Sequence, residues 1–269
     1  MKNSFRYLKL YGYFVRFSMM RSMQFRFDFF FRILMDVLYY VVNIALYLVL
    51  YSTTDILGGW TREQGLVFVA SFCVIDALQM TLFSNNMWSL PAAINKGDID
   101  YYLVRPVNSL FFLALREFAV NSFVNLLIAL GFLAWALSQI WGQIQPVSLF
   151  LFFILLLNGT FLHFALHYLT LVPVFWLQSP RGFEEFYWSF SRVMERPDRI
   201  FRGWVWRIFV SIIPYSLMAS FPARIILDPL TGTERLGIFA YQIGVGLLFL
   251  GVVVYTWRRA LRVYSSASS

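Results

Sequence analysis

His163 and His167 stand four residues apart, so a helix containing them carries both on one face. That spacing can hold a metal ion or the edge of a haem. No carboxylate or cysteine lies near them in sequence. The competing reading is a pair of polar residues hydrogen-bonding inside a helix bundle or lining a pathway. Asp36 and Asp76 fall in or near long apolar runs, as do Asn43, Gln79, Asn121, Asn125 and Asn158. An ionisable group within a membrane is costly and faces protein or a wet cavity. Asp76 is the first candidate for a functional buried charge, and Asn125, His163 and His167 join it as candidate residues of a translocation path. Asp36 is expected near the headgroups. A proton relay would need a longer chain of such groups. The lone Cys73 allows neither a disulfide nor a thiolate metal cluster within the chain.

Several motifs of catalysis are missing. There is no G-x-x-x-x-G-K-[ST] phosphate loop, no G-x-S-x-G elbow and no H-E-x-x-H. The chain is therefore not expected to bind and hydrolyse ATP by that route. No metal site is assigned, and no cofactor is expected in this chain.

The elements that position these residues follow from composition. Of 269 residues, 59% are hydrophobic, 20% aromatic and 13% charged, against about 25% charged in a soluble domain. In water such a chain would expose more apolar surface than a soluble monomer tolerates. The expected fold is an all-α membrane protein of six transmembrane helices, a single domain over residues 1–269. The net charge of +8 is spread between apolar spans, which fits membrane lipid as a partner and not nucleic acid. No cleavable signal peptide is visible, and the first span reads as a retained anchor.

A crossing needs about 20 mostly apolar residues. The six expected spans run near Ile33–Tyr51, Leu66–Leu90, Leu110–Leu137, Val147–Leu177, Val205–Leu227 and Leu236–Trp257, forming a bundle over 33–257. Placing both termini in the cytoplasm puts all but Arg62, Arg224 and Arg235 of the 22 Lys and Arg residues on the inner side. That count includes Arg181, Arg192, Arg196, Arg199, Arg202 and Arg207 of a long connection, Gln178 to Gly203, and of the fifth-span start. Every tryptophan except Trp188 lies near an expected span end, as indoles in the headgroup region do. Residues 1–30 read as an interfacial amphipathic helix, with Lys2, Arg6, Lys9 and Arg16 opposite Leu8, Tyr11, Val15 and Met19. Residues 258–269 form a cytoplasmic tail. Pro214, Pro222 and Arg224 within one span point to a broken or re-entrant outer segment between spans 5 and 6.

The stretch between the second and third spans is the most informative. Ala92 to Phe111 reads as a short helix, a turn at Gly97, a second short helix and a stop at Pro106. Asp98 is expected to cap the second helix. The result is a helical elbow on the cytoplasmic face, displaying acidic and basic groups.

The segment INKGDIDYYLVRPVNSLF resembles the signature of ABC-2 type exporter permeases, through Ile94, Gly97, Ile99, Asp100, Leu103, Arg105, Pro106, Asn108, Leu110 and Phe111. Gly58-Gly59-Trp60, Ile213-Pro214-Tyr215 and Phe221-Pro222-Ala223 resemble further marks of that family. Glu195-Arg196-Pro197-Asp198 departs from its pattern. The resemblance implies a permease subunit in a bacterial inner membrane, forming half of a pathway with a second copy or a related permease. ABC ATPase subunits would dock beneath and carry ATP and Mg. The elbow would be a coupling helix, with Gly97, Asp98, Asp100, Arg105 and Pro106 at the ATPase contact. An ion-coupled secondary transporter is the alternative, though no internal repeat is evident. A membrane enzyme built on His163 and His167 is a third.

Overall fold

Backbone in lipid must satisfy its own hydrogen bonds, so long apolar runs become long helices. The computed structural model describes residues 2–22, 24, 26–179 and 182–265. Arg181, the last four residues of the expected tail and the side chains of Lys2 and Arg26 lie outside that set. Among the described residues all regular structure is helical apart from one antiparallel bridge, Leu57 to Trp60.

In chain order, α1 is Lys2–Ser22 and α2 Arg26–Thr53. α3, Arg62–Gln79, passes through a π turn at Met80–Ser84 into α4, Asn85–Lys96. The short α5, Asp100–Leu103, and α6, Ser109–Leu115, precede α7, Val120–Gln139. α8 is Pro146–Leu171, with Pro146 in its first turn where a missing N–H is harmless. Then come α9, Val174–Leu177, and α10, Phe183–Ser191. α11 is Gly203–Arg207, α12 Tyr215–Leu227 and α13 Gly232–Val263. Five helical stretches are long and apolar enough to cross a membrane: Phe27–Thr53, Arg62–Lys96, Val120–Gln139, Pro146–Leu177 and Gly232–Val263.

α3 is the hub. Val67, Phe68, Ala70 and Ile75 on it are fully buried, and it packs against α2, α7, α8 and α12. α12 lies close on α8 because residue 159 is glycine: a Cβ there would stand 2.6 Å from the Met218 carbonyl oxygen. α2 and α13 sit outermost and turn Leu38, Val42, Val49, Leu247 and Leu248 outward, a surface that only lipid or another apolar chain accommodates.

The expected third span is broken at 116–119, between α6 and α7. The break faces the π turn and uses what that turn releases. The Asn86 side chain donates to the Glu117 carbonyl at 2.8 Å and accepts from the Glu117 N–H at 2.9 Å. The Ala119 N–H reaches the Thr81 carbonyl at 3.0 Å. Two irregular helices thus satisfy each other's backbone.

The expected fifth span needs correction. α8 and α13 run parallel: Arg235 donates to Gln145 near their starts, Gln242 to the Leu155 carbonyl further along. Both start at the end of the bundle that carries the Gly58-Gly59 turn, because Trp60 reaches Asp228 just before α13. α8 finishes at the elbow end, where Asn95 donates to the Gln178 carbonyl. The chain between Gln178 and Thr231 must therefore travel the bundle once. Residues 183–200 make that journey. Tyr187 meets His163, Tyr47 donates to the Glu195 carbonyl, and Arg199 pairs with Asp228 at the glycine-turn end. Nine α-helical residues, two 3₁₀ turns and the extended Arg196–Pro197 step between them are long enough, at roughly 30 Å, for that distance.

The stretch at Val205–Leu227 does not traverse. Its two halves, Gly203–Ile212 and Tyr215–Leu227, meet at 91°. Trp206 in the first half and Arg224 late in the second both contact Asp198, so the pair returns to the end it left. Gln178–Gly203 is accordingly not a connection at one end. Arg199 sits at the glycine-turn end, and the charge asymmetry along the bundle is weaker than its sequence count. The tryptophan reading changes too. Trp60 and Trp257 are buried, and with Trp206 they donate to Asp228, Ser109 and Asp198; these indoles are internal ties, while Trp88, Trp135, Trp141, Trp176 and Trp204 remain exposed.

Candidate functional site

The elbow is built on one glycine and one asparagine. Gly97 ends α4 with φ 79, a left-handed conformation that glycine adopts freely. Ile99, fully buried, pins the turn that follows. Asp98 does not cap α5: that helix starts after Ile99, and the Asp98 side chain is exposed. The side-chain cap falls at Asn108, which accepts from the Phe111 N–H at 3.1 Å and starts α6 after Pro106.

Arg105 lays its guanidinium 4.1 Å from the centre of the Tyr101 ring. α1 clamps the same turn: Arg6 donates to the Pro106 carbonyl at 3.2 Å, and the Asn108 N–H donates to the Tyr7 hydroxyl at 3.1 Å. Tyr7 and Phe14 meet Phe111 and Phe112 edge to face, and Leu8, Phe17 and Met20 of α1 remain exposed. Burial, then the nearby Asp100 carboxylate, hold the Tyr264 phenol above its ordinary pKa.

Of the five residues expected at a partner contact, Gly97, Asp100 and Arg105 are half-buried and Gly97 and Arg105 shape the elbow, while Asp98 and Pro106 are displayed. Sequence reasoning missed Tyr101 and Val104, 61% and 82% exposed. Their signal was apolar side chains in a stretch otherwise read for its charges.

α3 and α4 connect the elbow to a cavity of about 300 Å³. Asp36, Tyr39 and Tyr40 of α2 line it, with Phe72 and Asp76 of α3 and His163 of α8. The segment from Tyr187 to Glu195 closes the other side. Tyr40 donates to Asp76 at 3.2 Å and Tyr39 to Glu195 at 2.7 Å. Asn125, buried on α7, donates to Asp36 at 2.6 Å. Asp36 therefore sits with Asp76 in the wall of this cavity, held by an amide that α7 supplies.

His163 and His167 serve Tyr187. Its hydroxyl lies 2.9 Å from His163 Nε2, and its ring stacks 4.0 Å from the His167 ring. The Gln79 amide lies 3.3 Å from His167 Nδ1. Among the described residues no three His, Cys, Asp or Glu side chains converge as a metal-binding group. Asp76 and His163 thus face the cavity, and Asn125 and His167 hold its wall from behind.

A third polar cluster lies at the glycine-turn end. Gly58 and Gly59 have φ of 60 and 86, the backbone of a tight two-residue turn. A Cβ on Gly58 would come within 2.8 Å of the Pro197 Cβ. Arg224 contacts Asp198 at 3.3 Å and Asp228 at 3.2 Å, and Arg199 also pairs with Asp228. Trp60 and Trp206 add indole donors at 3.0 and 3.1 Å, and the Asp198 N–H donates to Ser220 at 3.0 Å. Pro214 stands at the bend before α12, and Pro222 lies within that helix.

The family profile described as ABC-2 family transporter protein matches residues 37–268. The chain belongs to the ABC-2 transporter family. No curated protein and no solved structure matches it significantly. As an ABC-2 family member it is a multi-pass membrane permease of an ABC transporter, a component that works with ABC ATPase subunits. The matched stretch takes in the elbow, most of the cavity wall and the Asp198–Asp228 cluster. It leaves out α1, the helix that clamps the elbow.

Proposed function

We propose that this permease is the transmembrane subunit of an ATP-driven exporter. Two such subunits, identical or paired with a related permease, form the pathway, and separate ATPase subunits bind ATP and Mg. In this reading the elbow end and both termini face the cytoplasm of a bacterial cell, α1 lies on the inner membrane surface, and the bent pair α11–α12 dips in from the outside and returns.

The observation that carries the reading is the form of the elbow. It offers Tyr101 and Val104 outward from a rigid frame of Gly97, Ile99, Arg105 and Asn108. An exposed apolar knob on a braced turn suits a docking contact, since little order is lost on binding. α4 runs from that knob through the π turn into α3 and so to Asp76. A push on the elbow is thereby delivered to the cavity as a rigid-body shift.

The test is co-purification of the tagged chain with its ATPase subunit, together with transport by the reconstituted complex. Val104→Asp should reduce ATPase recovery at least tenfold, on the order of 1.4 kcal/mol, and leave the yield of folded permease unchanged. Asp100→Ala and Arg105→Ala should lower transport per ATP hydrolysed. Unchanged recovery with Val104→Asp would remove the elbow from the contact. Transport driven by an ion gradient without ATP would replace the exporter with a secondary carrier.

A further inference from the structure

We infer that the cavity between α2, α3, α8 and the 187–195 segment binds the cationic group of an amphipathic organic cation. The inference rests on the transport reading and names the class of cargo.

Three carboxylates border the cavity: Asp36, Asp76 and Glu195. Each accepts from a neutral donor, namely Asn125, Tyr40 and Tyr39. Among the described residues none of the three has a Lys or Arg partner within 4.0 Å. Arg192 also borders the cavity, but its side chain is exposed, where solvent screens its charge. Anionic groups withdrawn from water without counter-charge are expensive, and a bound cation relieves that cost.

A second observation points to a ligand independently of the acids. His163 is 2% exposed and borders the same cavity. Its Nε2 lies against the Tyr187 hydroxyl, and its Nδ1 has no hydrogen-bond partner among the described residues. A buried ring nitrogen of this kind can accept from a ligand or, in the other tautomer, donate to one.

The remaining wall is aromatic: Tyr39, Tyr40, Phe72 and Trp188. Rings of this kind attract an organic cation by their faces and cover its apolar body. Carboxylates on one side and rings on the other would repel an anion of the same shape. The volume of about 300 Å³ admits a substituted ammonium or phosphonium head with its first apolar groups.

The test uses two ions of one shape and opposite charge, tetraphenylphosphonium and tetraphenylborate. Equilibrium dialysis against the purified full chain in nanodiscs, without ATPase, should show saturable binding of the cation and none of the borate. Asp76→Asn with Glu195→Gln should weaken cation binding at least tenfold. Arg192→Ala, on an exposed side chain that leaves folding intact, should tighten it about threefold. Equal binding of both ions, or cation binding that neither variant moves, overturns the site. If the cation binds as expected and the complete complex with ATPase fails to move it, the transport reading fails and the site stands. If the complex transports other cargo and the chain ignores the cation, the site fails and transport stands.

Discussion

The cavity and the Asp198–Asp228 cluster use the same residue types to opposite ends. At the cluster every carboxylate meets a guanidinium, Trp60 and Trp206 add an indole donor to each, and Ser220 accepts from the Asp198 N–H. Asp198 and Asp228 come from different stretches, so the ion pairs tie the 183–200 segment to the end of α12, and the Trp60 indole joins the Gly58 turn to them. In the cavity the carboxylates meet, among the described residues, two phenols and an amide. Matched charges in low dielectric lock segments together; unmatched ones leave strain that a ligand or a proton can relieve. One end of the bundle is thus a fastening, and its middle is a site.

The largest test of that contrast is Arg224→Ala, which leaves Asp198 without a cation. Breaking a buried pair from one side costs about 3 kcal/mol or more. Cys73, the one cysteine and 1% exposed, reports unfolding by its reaction with a thiol dye on heating in detergent. Arg224→Ala should expose it at a markedly lower temperature, and Arg224→Met combined with Asp198→Asn should recover most of the loss. An unshifted transition would mean that the ion pairs fasten nothing.

Next in size is Gly58→Ala. A side chain there is strained by the positive φ and meets Pro197 at 2.8 Å, for a loss of roughly 1–3 kcal/mol. The same thermal measurement reads it, and no loss would show that the turn is free to move away from the 183–200 segment. Trp60→Phe removes the donor to Asp228 and part of a buried indole, at about 1–3 kcal/mol; a neutral result would make the indole dispensable beside two guanidinium groups.

The smallest effect belongs to the other side of the comparison. Asp76→Asn removes an uncompensated charge while keeping an acceptor for Tyr40, so stability should stay within about 0.5 kcal/mol of the parent or rise. Transport by the complex should fall at the same time. A clear loss of stability would show that Asp76 is as firmly matched as Asp198 and would dissolve the contrast.

Most of the bundle was legible in sequence because hydropathy is a local property. The runs at Leu66–Leu90 and Val147–Leu177 could become nothing but long buried helices, and Gly97 and Pro106 marked the elbow by conformational limits of their own. The 183–200 segment was not legible. Glu184, Glu185, Arg192, Glu195 and Arg196 make it read as a solvated connection, and what permits it inside the bundle comes from elsewhere: Tyr39 and Tyr47 of α2, His163 of α8, Ser220 of α12. The break at 116–119 was hidden for the same reason, since Asn86 and the π turn supply its backbone partners from thirty residues away.

The sequence by itself determined that this chain is helical and membrane-bound, that an elbow follows the second span, and which family it resembles. Each of these rests on interactions within a turn or two of helix, or on a transfer free energy summed along one segment. Tertiary structure decided which charged segment runs through the bundle, which carboxylates found a cation and which did not, and that Asp36 joins Asp76 beside one cavity. A buried charge is affordable only when partners from distant segments surround it, and no local reading of the chain contains those partners.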